Sequence, residues 1–349
     1  MRVPRPVRRF ATAVVLMATS VVLALGALEI GLRAIGWNRE LTSNWMLGSP
    51  AVTPDPEVIM IRRRLLDPGF YAPPSAPLVL SICDSFTEGF PVDLSTRAYP
   101  AVLERLLARR GSTVTVRNAG MGDTGPDQQL RLLETYLLPR FRPVVVVWQL
   151  YANDVWDNID KSLYRLVDDQ LVPLSGAHHW LARRQRLYDW TPLPAAVKQN
   201  SRLFRLLLRV VERSAQPRPP EDSIDWSVAK IAHELDAFDR LARDRGFVPY
   251  VALVHPQSTY LVNVEGPWQR MWNIQTDQRL LALLRGRADF IDGGLGANAA
   301  DGDFADDGRD HNLRGDRHLN ERGYARLAAI VAHRLVRDGT LAGRAAPAP

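Results

Sequence analysis

Cysteine occurs once in the 349 residues, at Cys83. No intrachain disulfide can form, and no metal site built on several thiolates is possible. The fold must therefore stand on its core, whatever compartment it occupies. Lysine is scarce too: arginine far outnumbers it, and the formal charge is +6. The arginines are scattered, with no basic stripe and no interleaved aromatics, which argues against a nucleic-acid partner. Apolar residues are plentiful, at 46% hydrophobic against 23% charged, the balance of a globular chain. The length allows one large domain plus extras.

The longest apolar run lies at the start. Arg2, Arg5, Arg8 and Arg9 make residues 1–9 a basic segment. Phe10 to Ile30 follows with Glu29 as its sole charge, and an apolar end continues through Ile35. About 20 apolar residues cross a bilayer, and arginines before the span predict a cytoplasmic N-terminus and an exported remainder. The expectation is a transmembrane signal anchor over 10–35 in a bacterial cell membrane, single-pass, with the rest periplasmic or extracellular. The rival is a cleaved signal peptide with Ala24-Leu25-Gly26 as the small-x-small site, but the run is longer than the usual h-region. Residues 36–75, rich in proline, read as a tether. The Ala/Pro-rich end, 341–349, reads as a disordered tail.

From Pro77 onward strand-like and helix-like segments alternate. Pro77 to Leu80, Thr113 to Arg117, Pro143 to Tyr151, Phe247 to Val254 and Ala288 to Asp292 read as strands. Tyr99 to Arg110, Gly125 to Arg140, 224–244, Trp268 to Leu284 and Asn320 to Asp338 have helical spacing. Such alternation predicts an α/β fold, with a parallel sheet covered by helices on both faces. Between about 155 and 222 the pattern breaks. That insertion carries Trp, Tyr and Arg residues, His178 and His179, and a basic apolar helix from Ser201 to Arg213. Both extra packing and a substrate-gating cap are compatible with it, and contact of its helix with a bilayer surface is a further option.

In open parallel sheets the ligand site lies beyond the carboxyl ends of the strands. Polar residues cluster at those ends here. Asp84-Ser85 follows the first strand at a strand-to-helix turn, where a serine can be a nucleophile or a plain helix cap. Asn118-Ala119-Gly120 follows the second, and a glycine N–H there can face an oxyanion. Tyr151-Ala152-Asn153-Asp154 follows the third, with the Asn153 amide as a second donor. Asp316-Arg317-His318 precedes the last helix, where His318 can take a serine proton while Asp316 orients its ring. Each alone has a bland reading as turn or cap chemistry, but their joint order argues for a site. His255, after the fourth strand, either lines the pocket or merely finishes the strand. The acidic stretch Asp301 to Gly308 lacks EF-hand spacing and reads as a solvated loop.

These blocks resemble the SGNH hydrolases of the GDSL esterase/lipase superfamily, in their membrane-anchored bacterial form. Cys83-Asp84-Ser85-Phe86-Thr87-Glu88-Gly89 is similar to the first block, Gly120 to the second-block glycine, Tyr151 to Asp154 to the third block and Asp316 to His318 to the last. The resemblance covers about 76–340, interrupted by the insertion. It implies a flavodoxin-like three-layer α/β/α fold and metal-free chemistry without cofactors. By carry-over Ser85 is the nucleophile, His318 the general base and Asp316 its orienting partner. The oxyanion donors are the Ser85 N–H, the Gly120 N–H and the Asn153 side chain. Cys83 and Tyr151 stand where the family has glycine. Both add bulk near the site, which makes them, with His255, candidates for shaping a substrate pocket. The Gly-x-Ser-x-Gly elbow of α/β-hydrolases is absent around Ser85.

Three functions fit. The first is a serine esterase acting on O-acyl groups, such as acetyl esters of cell-envelope carbohydrate. The second is an O-acyltransferase with the same triad, supplied with its donor by a membrane partner. The third is a non-catalytic envelope-binding module, its site eroded at Cys83 and Tyr151.

Overall fold

The computed structural model describes residues 5–35, 52–160, 162–174, 190–204, 206–207, 223–254, 267–294 and 318–342. Asp316, His255, His178, His179 and the acidic stretch 301–308 lie outside them, as does most of the terminal tail. The chain forms two compact units, one of Met1–Thr53 with Trp180–Pro217 and one of Pro54–His179 with Arg218–Pro349.

The first unit is built on α1 (Arg5–Ala34). Its window Thr12–Ala34 has 23 residues of mean hydropathy 2.2, long and apolar enough to cross a membrane. Part of the insertion belongs to this unit and contains a short helix, Ala195–Asn200.

The second unit holds a five-stranded parallel sheet. Its strands are β1 (Leu78–Ile82), β2 (Thr115–Asn118), β3 (Val145–Leu150), β4 (Val248–Leu253) and β5 (Phe290–Asp292). Their spatial order is β2-β1-β3-β4-β5, the flavodoxin-like 2-1-3-4-5 order. Every pairing is parallel: Leu80 of β1 stands opposite Arg117 of β2 and Val146 of β3, and Val147 of β3 opposite Tyr250 of β4. β1 and β3 are buried along their whole length, as expected of strands covered on both faces.

Side chains of a strand alternate between its faces. Leu78, Leu80 and Ile82 of β1, with Val146, Trp148 and Leu150 of β3, enter one core. That core is completed by helices α4 (Pro126–Leu132, continued by a π turn over Leu133–Leu137), α6 (Ser223–Arg245) and α7 (Pro267–Leu284). Val79 of β1 with Val145 and Val147 of β3 enter the other, with α3 (Tyr99–Arg109) and α8 (Glu321–Arg337). Two further helices, α2 (Ser85–Glu88) and α5 (Asn153–Asp160), begin at the ends of β1 and β3.

The expected three-layer arrangement is therefore present, and each predicted strand and helix of the sheet domain lies within a few residues of its observed bounds. One expectation needs correction. The tether over 36–75 ends earlier than expected: Val58, Ile61 and Leu65 are buried in the same core as β1. Polar residues mixed with prolines made that stretch look like a linker, but its apolar residues have a core to enter. The insertion also contains a hairpin, in which Tyr164–Val167 and Gln170–Pro173 pair antiparallel.

Candidate active site

The order of the strands reverses direction between β1 and β3, and the crevice at such a switch point is where open sheets bind ligands. β1 leads into Ser85 and β3 into Asn153. Asp84 ends the first connection as the N-cap of α2, accepting a hydrogen bond from the Phe86 N–H at 2.9 Å. This single helical turn exists because its cap is satisfied and because Gly89 ends it at φ +94°. A Cβ on Gly89 would meet the Ala98 Cβ at 2.3 Å, so no other residue fits. Ser85 is the first residue of the turn, and its N–H has no acceptor within the helix's own ladder.

The Ser85 hydroxyl lies 2.8 Å from His318 Nε2, across 233 residues of sequence. His318 precedes α8, whose N-cap Asn320 accepts from the Arg322 and Gly323 N–H groups. The imidazole ring is held between two others. Phe86 stacks on it at 5.0 Å and Phe90 meets it edge-on at 4.9 Å. Tyr324 Oη in turn donates to the Phe90 carbonyl at 2.7 Å. Tyr151 backs Phe86 at 4.1 Å between ring centres. These rings fix the imidazole plane, and the Phe86–Thr87–Glu88 turn carrying one of them also carries the serine.

Asn153 opens α5, and its Nδ2 donates to Asp84 Oδ2 at 2.6 Å and to Asp157 Oδ2 at 3.3 Å. Asp84 Oδ2 is also 3.4 Å from the Ser85 hydroxyl. The aspartate thus joins the nucleophile turn to the third-strand turn. Behind it Asp154 accepts from the Tyr151 N–H at 2.7 Å and from Gln129 Nε2 at 3.1 Å, and Gln129 accepts from Trp148 Nε1 at 2.8 Å. Burial, then the neighbouring Asp84 charge, push the Asp154 carboxyl well above the usual carboxylate range.

Gly120 serves close packing. A Cβ there would sit 2.1 Å from the Glu88 backbone nitrogen and 2.6 Å from the Thr87 carbonyl carbon. Its N–H donates to Asn118 Oδ1 at 3.0 Å, within its own turn. Three residues on, Asp123 adopts a left-handed φ of +67°, a conformation that aspartate tolerates better than most residues but that is uncommon outside glycine.

A third support was invisible in the sequence pattern. Arg64 donates from Nη1 to the Asn118 carbonyl at 2.7 Å and from Nη2 to the Gly120 carbonyl. Arg62, itself buried, pairs with Glu88 at 3.0 Å, and Glu88 Oε2 accepts from the Gly122 N–H at 2.8 Å. The two arginines thus bind the second-strand loop to α2. The signal that could have found them is the apolar run Ile59-Met60-Ile61 beside Leu65-Leu66, which marks the segment as packed rather than free.

Cys83 and Tyr151 were expected to shape a pocket. Both are buried, at 1% and 2% exposure, so neither lines an open cleft. Cys83 Sγ donates to Asp84 Oδ1 at 3.1 Å, and burial, followed by the Asp84 charge, pushes its thiol well above the usual range. It is a small core residue. The positions that could complete the site, Asp316 and His255, lie outside the described residues. Among the described residues no group of three or more His, Cys, Asp or Glu side chains could hold a metal ion.

No family model matches the chain, and no curated protein matches it. Among solved structures it is similar to a lipolytic protein of the G-D-S-L family from Veillonella parvula DSM 2008, at 13% identity over 75% of this chain and 100% of that one, TM-score 0.42. It is also similar to an acetylxylan esterase from Geobacillus stearothermophilus, at 15% identity over 77% and 95%, TM-score 0.39. A carbohydrate acetylesterase family member from Sinorhizobium meliloti aligns at 15% identity over 76% of this chain and 99% of that one, TM-score 0.40.

Proposed function

We propose that the chain is a serine esterase of SGNH type, held at a bacterial membrane by α1, that removes short acyl groups from an alcohol. The observation that carries this reading is the 2.8 Å contact of Ser85 Oγ with His318 Nε2 at the sheet's switch point. A hydroxyl in that contact can lose its proton to the ring as it attacks.

The chemistry runs in two halves. Ser85 Oγ forms a bond to the acyl carbon while its proton passes to Nε2. The tetrahedral oxyanion accepts from the Ser85 N–H and from Asn153 Nδ2. As the intermediate collapses, the bond to the alcohol oxygen breaks and the imidazolium returns the proton to it. Water then repeats the sequence on the acyl-enzyme and frees the acid. Asn153 donates to two carboxylates in the resting site, so one N–H must leave Asp84 or Asp157 to reach the oxyanion. Asp316 is the residue proposed to orient His318.

Crowding supports a small acyl group. Ser85 is 5% exposed, and Phe86 and Phe90 pack on the ring of His318. Acetyl esters on envelope carbohydrate fit an exported site of this shape. The test is labelling by a fluorophosphonate together with turnover of aryl esters of rising chain length. Wild type should label and prefer acetate, and Ser85→Ala and His318→Ala should lose turnover by about six orders of magnitude. Wild-type protein that neither labels nor hydrolyses any of the esters would refute the reading.

A further inference from the structure

Glu29 is the one acidic residue within the apolar span of α1. A carboxylate in such a span needs partners. It finds them far along the chain: Glu29 accepts from the Leu203 N–H at 2.8 Å, the Arg202 N–H at 3.1 Å and the Ser201 hydroxyl at 3.0 Å. Arg33 closes the other side, donating to Glu29 at 2.7 Å and to the Asn200 carbonyl at 2.8 Å. The exchange is reciprocal. The last carbonyls of a helix lack partners within it, and here Arg202 Nη1 donates to the Leu32 carbonyl at 3.0 Å and the Arg33 carbonyl at 3.4 Å. The end of α1 and the segment 200–203 thus satisfy one another's backbone.

The clasp also fixes a depth. A helix rises about 1.5 Å per residue, so the span is roughly 34 Å long against about 30 Å of hydrocarbon. With the span upright and centred, its ends overshoot the hydrocarbon by about 2 Å each, which puts Glu29, five residues before Ala34, about 5 Å below the edge. Residues 201–203 are within hydrogen-bond reach of its carboxylate and share that level. Surface-seated segments bury about 5–10 Å into the headgroup boundary. The described residues of the same segment are suited to it: Trp190 is 83% exposed, and Leu193, Val197 and Leu207 are exposed as well. Tryptophan is a residue type enriched at that boundary.

We propose that residues 190–204, with 206–207, form an arm seated in the lipid headgroup boundary of the leaflet away from the N-terminus, clasped to α1 through Glu29 and Arg202. Its partner is the bilayer itself. The proposal rests on the membrane-anchor reading of α1. The insertion then adds a second membrane contact to the anchor.

The full-length chain is reconstituted into phosphatidylcholine vesicles carrying bromine either near the acyl carbonyls or at the chain ends. The Trp190 signal is the emission of wild type minus that of Trp190→Phe. It should be quenched by the shallow bromine more than by the deep one. Glu29→Ala and, separately, Arg202→Gln should weaken that quenching while the protein stays in the membrane after alkaline carbonate washing. Unquenched Trp190 emission in carbonate-resistant protein overturns the arm and leaves the anchor standing. Wild-type protein released by carbonate overturns both.

Discussion

Beneath α5 lies a closed set of buried charges that offers a quantitative test of how the Asn153 turn is held. Lys230 is fully buried, and its Nζ donates to Asp127 Oδ2 at 2.7 Å, Asn158 Oδ1 at 2.6 Å and Ser162 Oγ at 3.1 Å, and lies 2.8 Å from Glu234 Oε1. Asn158 Nδ2 donates to Glu234 at 2.9 Å, and Asp127 accepts from the Leu163 N–H at 2.7 Å. One cation serves two carboxyls. Burial raises Glu234 from 4.5 to about 7, with the Asp127 charge adding to that rise and Lys230 opposing it. Lys230→Met removes the cation and keeps the volume, leaving Asp127 and Glu234 with no cation between them. Breaking a buried pair in this way costs about 3–5 kcal/mol, or a fall of roughly 10 °C in the unfolding midpoint.

The pH dependence has a definite sign. The folded carboxyl binds its proton more tightly than the unfolded one, so this group's contribution is complete below pH 4.5 and is lost as pH rises to about 7. The full loss is on the order of 3 kcal/mol. In Lys230→Met the Glu234 carboxyl rises further, so the variant's decline continues above pH 7 and its deficit is larger at pH 8 than at pH 5. Glu234→Gln should flatten this part of the profile. Thermal unfolding of the detergent-solubilised full chain at both pH values measures it. A Lys230→Met deficit below about 1 kcal/mol at pH 8, or one that grows as pH falls, would refute the reasoning.

Gly120→Ala forces a Cβ into backbone atoms at 2.1 Å that no rotamer change can clear, and should cost about 3 kcal/mol by thermal unfolding together with most of the ester turnover. Arg64→Gln releases the Asn118 and Gly120 carbonyls. We expect kcat for an aryl acetate to fall about tenfold with KM little changed, because the loop is a positioning element, and Arg64→Lys to recover only part of it. Cys83, buried and raised in pKa, should resist iodoacetamide at pH 8 in the native protein and react only after unfolding, as followed by intact mass. Labelling of the native protein would place the thiol at an open site after all.

The sheet was legible because each of its segments carries a local signal. Val144 to Val147 and Phe247 to Val254 are continuous apolar runs, and Tyr324, Leu327, Val331 and Leu335 recur at helical spacing. Ser85 and His318 were legible because polar residues beyond strand ends converge in this topology, and the strand order places β1 beside β3. Arg62 and Arg64 were not, because proline-flanked residues 52–75 show no periodicity, and what draws them in is a core built by other segments. Cys83 and Tyr151 read as pocket residues, since a side chain replacing glycine near a nucleophile suggests crowding. The strand pleat instead turns them inward to 1% and 2% exposure.

What the sequence determined by itself, then, is the order of strands and helices, the apolar first helix and the residue types waiting at the strand ends. Local periodicity and turn chemistry act over a few residues and are readable one segment at a time. The tertiary structure decided which of those ends meet. It brought Ser85 to His318 and Asp84 to Asn153, engaged the Gly120 N–H within its own turn, and joined Glu29 to Leu203. Hydrogen-bonding groups removed from water must find partners wherever the fold places them, and those partners lie up to 234 residues away.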